Sequence, residues 1–209
     1  MIKTLYIVRH GETDLNKRGI VQGRGINTSL NEKGREQAVE FYQAYKDVPF
    51  DKVYTSSLQR THQTAAHFIQ DGLPWEQLKG LDEMAWGIYE GVEASAEMRA
   101  FFKTLTDKWA AGVLDAHFEG GESPIDVSIR QKQALDHIMS FPEEKNVLVC
   151  MHGRAIRLFL CLLMGDPLSH MDHFPHQNLS LYKVGFDGER FELLEFNNVA
   201  HLGPGIPEN

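Results

Sequence analysis

Two apolar runs constrain this chain more than any other feature. Leu5, Tyr6, Ile7 and Val8 run without a break into Arg9-His10-Gly11, and Val147, Leu148 and Val149 run through Cys150 and Met151 into His152-Gly153. Each run predicts a buried strand that stops on a histidine and turns on a glycine. Further strands are expected at 51–55, 179–184 and 190–196, with the first two spanning 3–9 and 146–151. Helical spacing falls between them. It is read at 31–46 (Ala38, Phe41, Tyr42, Tyr45), in the stretch after Ser57 taken as a capped start, at 124–141 (Ile125, Ile129, Ala134, Ile138, Phe141) and at Ala155–Met164. Strands alternating with helices predict an α/β fold: a three-layer αβα sandwich around a mostly parallel central sheet. A hairpin at Phe186-Asp187-Gly188 should add an antiparallel edge strand.

The 209 residues suit a single domain, 1–209. The segment at about 92–121 breaks the alternation and reads as a helical insertion over the active site. The tail at about 203–209 reads as flexible. Apolar residues at 42% and charged residues at 24% are ordinary for a globular protein. A net charge of −8 argues against nucleic-acid binding, yet a local arginine cluster can still hold a small anion. The N-terminal apolar run is too short for a secretory signal, and AIRLFLCLLMG is about half a membrane span. With Cys150 and Cys161 read as buried thiols, a cytoplasmic location is expected and no membrane partner. The oligomeric state is left open, a homodimer included.

In open α/β sheets, ligands bind beyond the carboxyl ends of the strands. Five groups can gather there: Arg9 and His10, Arg60 one turn into the helix after VYTSS, His152, and Glu83 in the loop LDEMAWGIYEG. Arginines match phosphoryl oxygens. They also lower a neighbouring imidazole's pKa, and a neutral imidazole can attack phosphorus. Gly11 is expected to let the turn fold tightly against a phosphate. A carboxylic acid, for which Glu83 is the candidate, protonates the leaving oxygen and later takes a proton from water.

The order of these motifs resembles the histidine phosphatase superfamily, in its phosphoglycerate-mutase-like branch. Arg9-His10-Gly11-Glu12-Thr13 matches the family signature, Asn16 follows in place, and Gln22-Gly23 fits the phosphate loop. SLNEKGREQA, YTSSLQRTHQTA, LDEMAWGIYEG, GGES (120–123) and VCMHGRAIR fit the later motifs, as do Asn178 and NNVAHL. Leu15, Tyr89 and Arg154 stand where an aromatic, a tryptophan and a glycine are usual. The resemblance implies that His10 is the phosphorylated nucleophile. Arg9, Arg60 and His152 then form the phosphate pocket, and Glu83 is the proton donor. It also implies substrate-binding roles for Asn16, Gln22, Gly23 and Gly153. No metal or organic cofactor is implied, and the partner is a small phosphate monoester.

Phosphatases and bisphosphoglycerate-dependent mutases share these motifs. The family's mutases carry an arginine pair in the insertion, where this chain has Arg99, Lys103 and Lys108 only. A phosphatase is therefore expected, with the mutase as the alternative. Phe101, Phe102, Trp109 and Phe118 are expected in the core, with one or two lining the leaving-group side. Two readings of other classes stand beside these. His170, His173 and His176, at three-residue steps in HMDHFPHQN, suggest a metal-binding protein. A non-catalytic phospho-ligand binder would share the motifs without the chemistry. His176 and Arg154 are also placed near the site, Arg154 either as a further phosphate clamp or paired with an acidic residue.

Overall fold

Leu5, Ile7 and Val8 are wholly buried because the strand they form, β1 (Lys3–Arg9), lies inside a sheet with helices on both faces. The computed structural model describes residues 1–203, so all but the first residue of the expected tail lies outside the described residues. The other strands are β2 (Lys52–Thr55), β3 (Trp75–Gln77), β4 (Asn146–Met151), β5 (Leu181–Phe186) and β6 (Phe191–Asn198). Their order is β3-β2-β4-β1-β5-β6. Pairings are parallel from β3 to β1, and antiparallel between β1 and β5 and between β5 and β6. The helices are α1 (Asp14–Lys17), α2 (Glu32–Tyr45), α3 (Gln59–Gln70), α4 (Ala96–Ala110), α5 (Pro124–Met139) and α6 (Gly153–Met164).

Alternate side chains of the central strands feed two cores, as a strand's period of two requires. Tyr6, Val8, Leu148 and Cys150 pack with Phe41 of α2 and with Ala65 and Phe68 of α3. Leu5, Ile7, Val147 and Val149 pack with Val127 and Ile138 of α5 and with Ile156 and Phe159 of α6. Burying each such aliphatic chain contributes about 1.5–3 kcal/mol. The expected layers and hairpin are present, and both cysteines are free and buried.

Local expectations fail in four places, each for a physical reason. β3 is an unforeseen edge strand; its three residues are too short for alternation to register. β5 begins at Leu181 because Leu179 takes a left-handed turn, φ 58°, before the ladder starts. Ser57 does not cap α3: its amide and hydroxyl both donate to Asp82, while Asn27 Oδ1 accepts the first helical N–H, from Gln59, at 2.8 Å. On α5, Ile125 and Ile129 face solvent, and Val127, Gln131, Ala134, Leu135 and Ile138 form the buried stripe. A glutamine hid that stripe; Gln131 is buried because its Nε2 donates to the Ala155 carbonyl at 2.7 Å.

Candidate active site

β1 and β4 are parallel neighbours with Arg9 opposite Met151, so the two strand-end histidines leave the same sheet edge. The His10 amide donates to the Met151 carbonyl at 3.1 Å, and the two imidazole centres lie 5.1 Å apart. The His10 Nδ1 is 2.7 Å from the Gly11 carbonyl. A carbonyl only accepts, so Nδ1 carries the proton and Nε2 keeps a bare lone pair. Asn178 Nδ2 donates to the His10 carbonyl at 2.8 Å, fixing the strand end from the far side. A Cβ at Gly11 would lie 2.5 Å from the Gly34 carbonyl oxygen, so the glycine admits the close approach of the start of α2.

A cavity of about 280 Å³ opens beside His10. Arg9, His10, Asn16, Gln22, Glu83 and Gly153 line it, together with Arg154 and His176. Asn16 Oδ1 accepts from Thr13, which leaves its amide nitrogen for a ligand. Gln22 is anchored at both ends, its Nε2 donating one N–H to Thr13 and its Oε1 accepting from Thr28. The opposite wall is apolar: Ile20, Val21, Trp86 and Phe102. Of the insertion's aromatics, Phe102 reaches the cavity, Trp109 is core, Phe118 packs on Tyr89 at 4.4 Å, and Phe101 is exposed. A larger groove, about 460 Å³, lies across the acid-bearing loop, but its Arg24, Arg130 and His137 already hold carboxylates.

Arg60, His152 and Gly23 stand behind the cavity rather than on its wall. Arg60 is wholly buried; its Nε donates to His152 Nδ1 at 3.2 Å, and its two terminal nitrogens donate to the carbonyls of Ile26 and Gly23 at 2.7 and 3.4 Å. The His152 Nε2 then carries the ring proton and meets Ser56 Oγ at 2.7 Å. Burial first, and the charges of Arg60 and Arg9 second, push the pKa of His10 well below its ordinary value. His152 is shifted the same way, by burial and then by Arg60. The arginines are thus the lesser cause of the lowered pKa of His10. Burial lowers Arg9 and Arg60 to about 10, so both keep their charge at neutral pH.

Glu83 sits on the N-terminus of α6. Its Oε1 accepts from the amides of Met84 and Ala155 at 2.8 and 3.0 Å, and its Oε2 from the backbone amide of Arg154 at 3.1 Å. A network the sequence did not reveal holds its backbone. Arg130 donates to the carbonyls of Gly80, Asp82 and Glu83 at 2.8–3.0 Å and pairs with Glu122 at 2.9 Å. Glu122 also accepts from the Ala85 amide and from Arg24, both at 2.9 Å. Burial pushes the Glu122 carboxyl up, but Arg130 and Arg24 outweigh it and hold the pKa below the ordinary value. GGES reads as a helix start, and Ser123 is indeed the cap of α5. The one available signal was the acid beside that serine.

Arg154 pairs with Asp172 at 2.7 Å and lies over the Trp109 ring at 5.5 Å, while still edging the cavity. His170 and His173 stack at 5.0 Å on the turn Leu168–His173, whereas His176 turns into the cavity. Among the described residues no three histidine, cysteine or carboxylate side chains are grouped to hold a metal ion, so the alternative reading of His170, His173 and His176 as a metal site finds no support in their placement.

Known proteins resemble this chain along almost its whole length. The chain is 31% identical over 221 residues to a broad-specificity phosphatase of Saccharomyces cerevisiae, covering 96% of this chain and 88% of that protein. It is 31% identical over 185 residues to a protein of Erwinia tasmaniensis named probable phosphoglycerate mutase GpmB, covering 86% and 83%. The crystal structure of the α-ribazole phosphatase from Shigella flexneri superposes with a TM-score of 0.82 at 26% identity, covering 93% and 96%. The sequence profile of the histidine phosphatase superfamily (branch 1) matches residues 5–199, from the first residue of the run that opens β1 to just past the end of β6. The chain belongs to that superfamily.

Proposed function

We propose that the protein is a phosphatase that hydrolyses small organic phosphate monoesters through a phosphohistidine on His10. The observation that carries this reading is the bare Nε2 of His10 on a cavity shared with Arg9 and Glu83. In the first step Nε2 forms a bond to phosphorus while the ester oxygen leaves and takes a proton from the Glu83 carboxylic acid. In the second, water attacks phosphorus, Glu83 takes its proton, and the N–P bond breaks to release phosphate and the free imidazole. Arg9 and the Asn16 amide supply the phosphoryl oxygens with donors, as preorganised dipoles and charges do in other transfers. Arg60 adds charge from behind, and His152 holds Arg60.

Hydrolysis is favoured over mutase activity by what the insertion offers. Arg99 donates to the Ala94 carbonyl, Lys103 pairs with Asp107, and the insertion side chain that lines the cavity is the apolar Phe102. No insertion cation is there to hold a second phosphate. The apolar wall supports a leaving group with a ring or hydrocarbon face, and the phosphatase names among the relatives agree. Two buried free thiols support a cytoplasmic location, and no described helix is long and apolar enough to cross a membrane.

The test is a phosphate-release screen over many monoesters, with His10→Ala beside the wild type. Wild type should release phosphate and, after a substrate pulse, carry an acid-labile, base-stable label. His10→Ala should lose the label and at least about 10³-fold in kcat. Phosphate release that survives in His10→Ala removes the nucleophile from this reading. Efficient phosphoglycerate interconversion without phosphate release from any monoester replaces it with the mutase.

A further inference from the structure

We propose that His176 is a positioning residue that holds Arg9 in place without cancelling its charge. The arginines around the cavity fall into two sets. Arg24, Arg130, Arg154 and Arg157 each pair with a carboxylate, namely Asp82, Glu122 or Asp172. Neither Arg9 nor Arg60 makes such a pair among the described residues. Each is instead held by an imidazole: Arg60 Nε on His152 Nδ1 and Arg9 Nη1 on His176 Nδ1, both at 3.2 Å. A guanidinium only donates, so each imidazole accepts at Nδ1 and is neutral. A carboxylate in that seat would also hold the arginine, but it would compete with phosphate for the same charge.

The seat of His176 is built for the ring. Its edge packs on Gly153, where an added Cβ would lie 2.5 Å from the imidazole Cε1. The glycine after His152 thus has a use apart from the ligand: it admits the second imidazole. Burial, and after it the charges of Arg9, Arg157 and Arg154 that face the ring, pushes the His176 pKa down to about 2. The ring therefore stays an acceptor across the whole working range of pH.

This inference rests on the reading of Arg9 as a phosphate ligand. It is tested by titrating inorganic phosphate into the wild type, His176→Asn, His176→Asp and His176→Ala at neutral pH, with the unfolding temperature of each recorded. Asparagine is a neutral acceptor and should bind phosphate within about threefold of wild type. Aspartate also accepts the hydrogen bond, yet should weaken phosphate at least about tenfold, the scale of one charged contact. A purely structural role would move unfolding temperature and not this difference. Equal phosphate affinity in the Asn and Asp variants overturns the assignment. If the Asp variant does not fold, Ala replaces it: affinity lower than Asn supports the role, and equal affinity overturns it. Wild type that binds no phosphate removes the phosphate-site reading and this inference together, a result distinct from binding that ignores residue 176.

Discussion

An imidazole has two nitrogens and, when neutral, one proton, and the carbonyl of Gly11 settles which nitrogen of His10 keeps it. The sequence supplied the histidine and its neighbours; it could not supply the tautomer, because that depends on where one carbonyl points. Arg9, Arg60 and the two strand-end histidines were legible because strong apolar runs and a helix start fix their places. His176 was placed near the site, but its contact with Arg9 was not legible, since it joins residues 167 positions apart. The buried histidines also set a pH dependence of stability. His10, His152 and His176 are all held well below their ordinary pKa when folded. The unfolded chain takes up those protons near pH 6.5, so it binds more protons than the native state below that value. Stability should be full above about pH 7 and fall as pH drops through 6.5 to 5, by up to about 1.4 kcal/mol per unit for each histidine. Urea midpoints at pH 7.5, 6 and 5 measure this, and His176→Asn should flatten the slope. A midpoint that does not move with pH contradicts the three neutral rings.

Elements carry the acid in a way the motif does not announce. Glu83 belongs to a loop, yet α5 holds that loop through Arg130, and α6 receives the carboxylate on its first amides. Arg130 was unreadable because a lone arginine on a helix looks like a solvated surface charge; here its side chain is 14% exposed and makes five contacts with the acid-bearing loop and Glu122. Arg130→Lys keeps the charge but loses the planar fork that spans three carbonyls. The expected result is a fall in kcat of about tenfold or more with phosphate binding little changed, since a point charge cannot hold the loop to the tolerance that proton transfer needs. Steady-state kinetics beside a phosphate titration checks it. Equal loss of both would mean that α5 supports the whole cavity instead. The exposed Ile125 and Ile129 carry the opposite lesson: two isoleucines one turn apart look like a core stripe, but the stripe is chosen by what lies beneath the helix.

At the scale of the whole molecule, the layers and the mostly parallel sheet were legible because alternating strands and helices admit few topologies, whereas the strand order and the packing of the rings under α4 were not. Helix α4 is fastened to the acid-bearing loop by aromatic contacts, Phe102 with Trp86 at 5.1 Å and Trp109 with Trp86 at 6.1 Å. Nothing in the spacing of Phe101, Phe102 and Trp109 says which ring meets the cavity and which the core. Because Phe102 lines the cavity on the wall proposed for the leaving group, Phe102→Ala should raise KM for an aryl phosphate by about tenfold and leave glycerol phosphate nearly unchanged, the scale of one lost apolar contact. Parallel kinetics on the two esters decides, and an equal change in both would place Phe102 in structure alone. The central position of β1 has a further consequence, for synthesis. β1 leaves the ribosome before the other described strands, but its two ladder partners come from residues 146–186. At about 5–20 residues per second, roughly 7–30 s pass before β4 exists. Throughout that interval Leu5–Val8 is an apolar strand with no edge to join. The segment bearing His10 therefore needs shielding while the chain is made, and no chain stopped short of residue 146 can pair the two strands that bring His10 and His152 together.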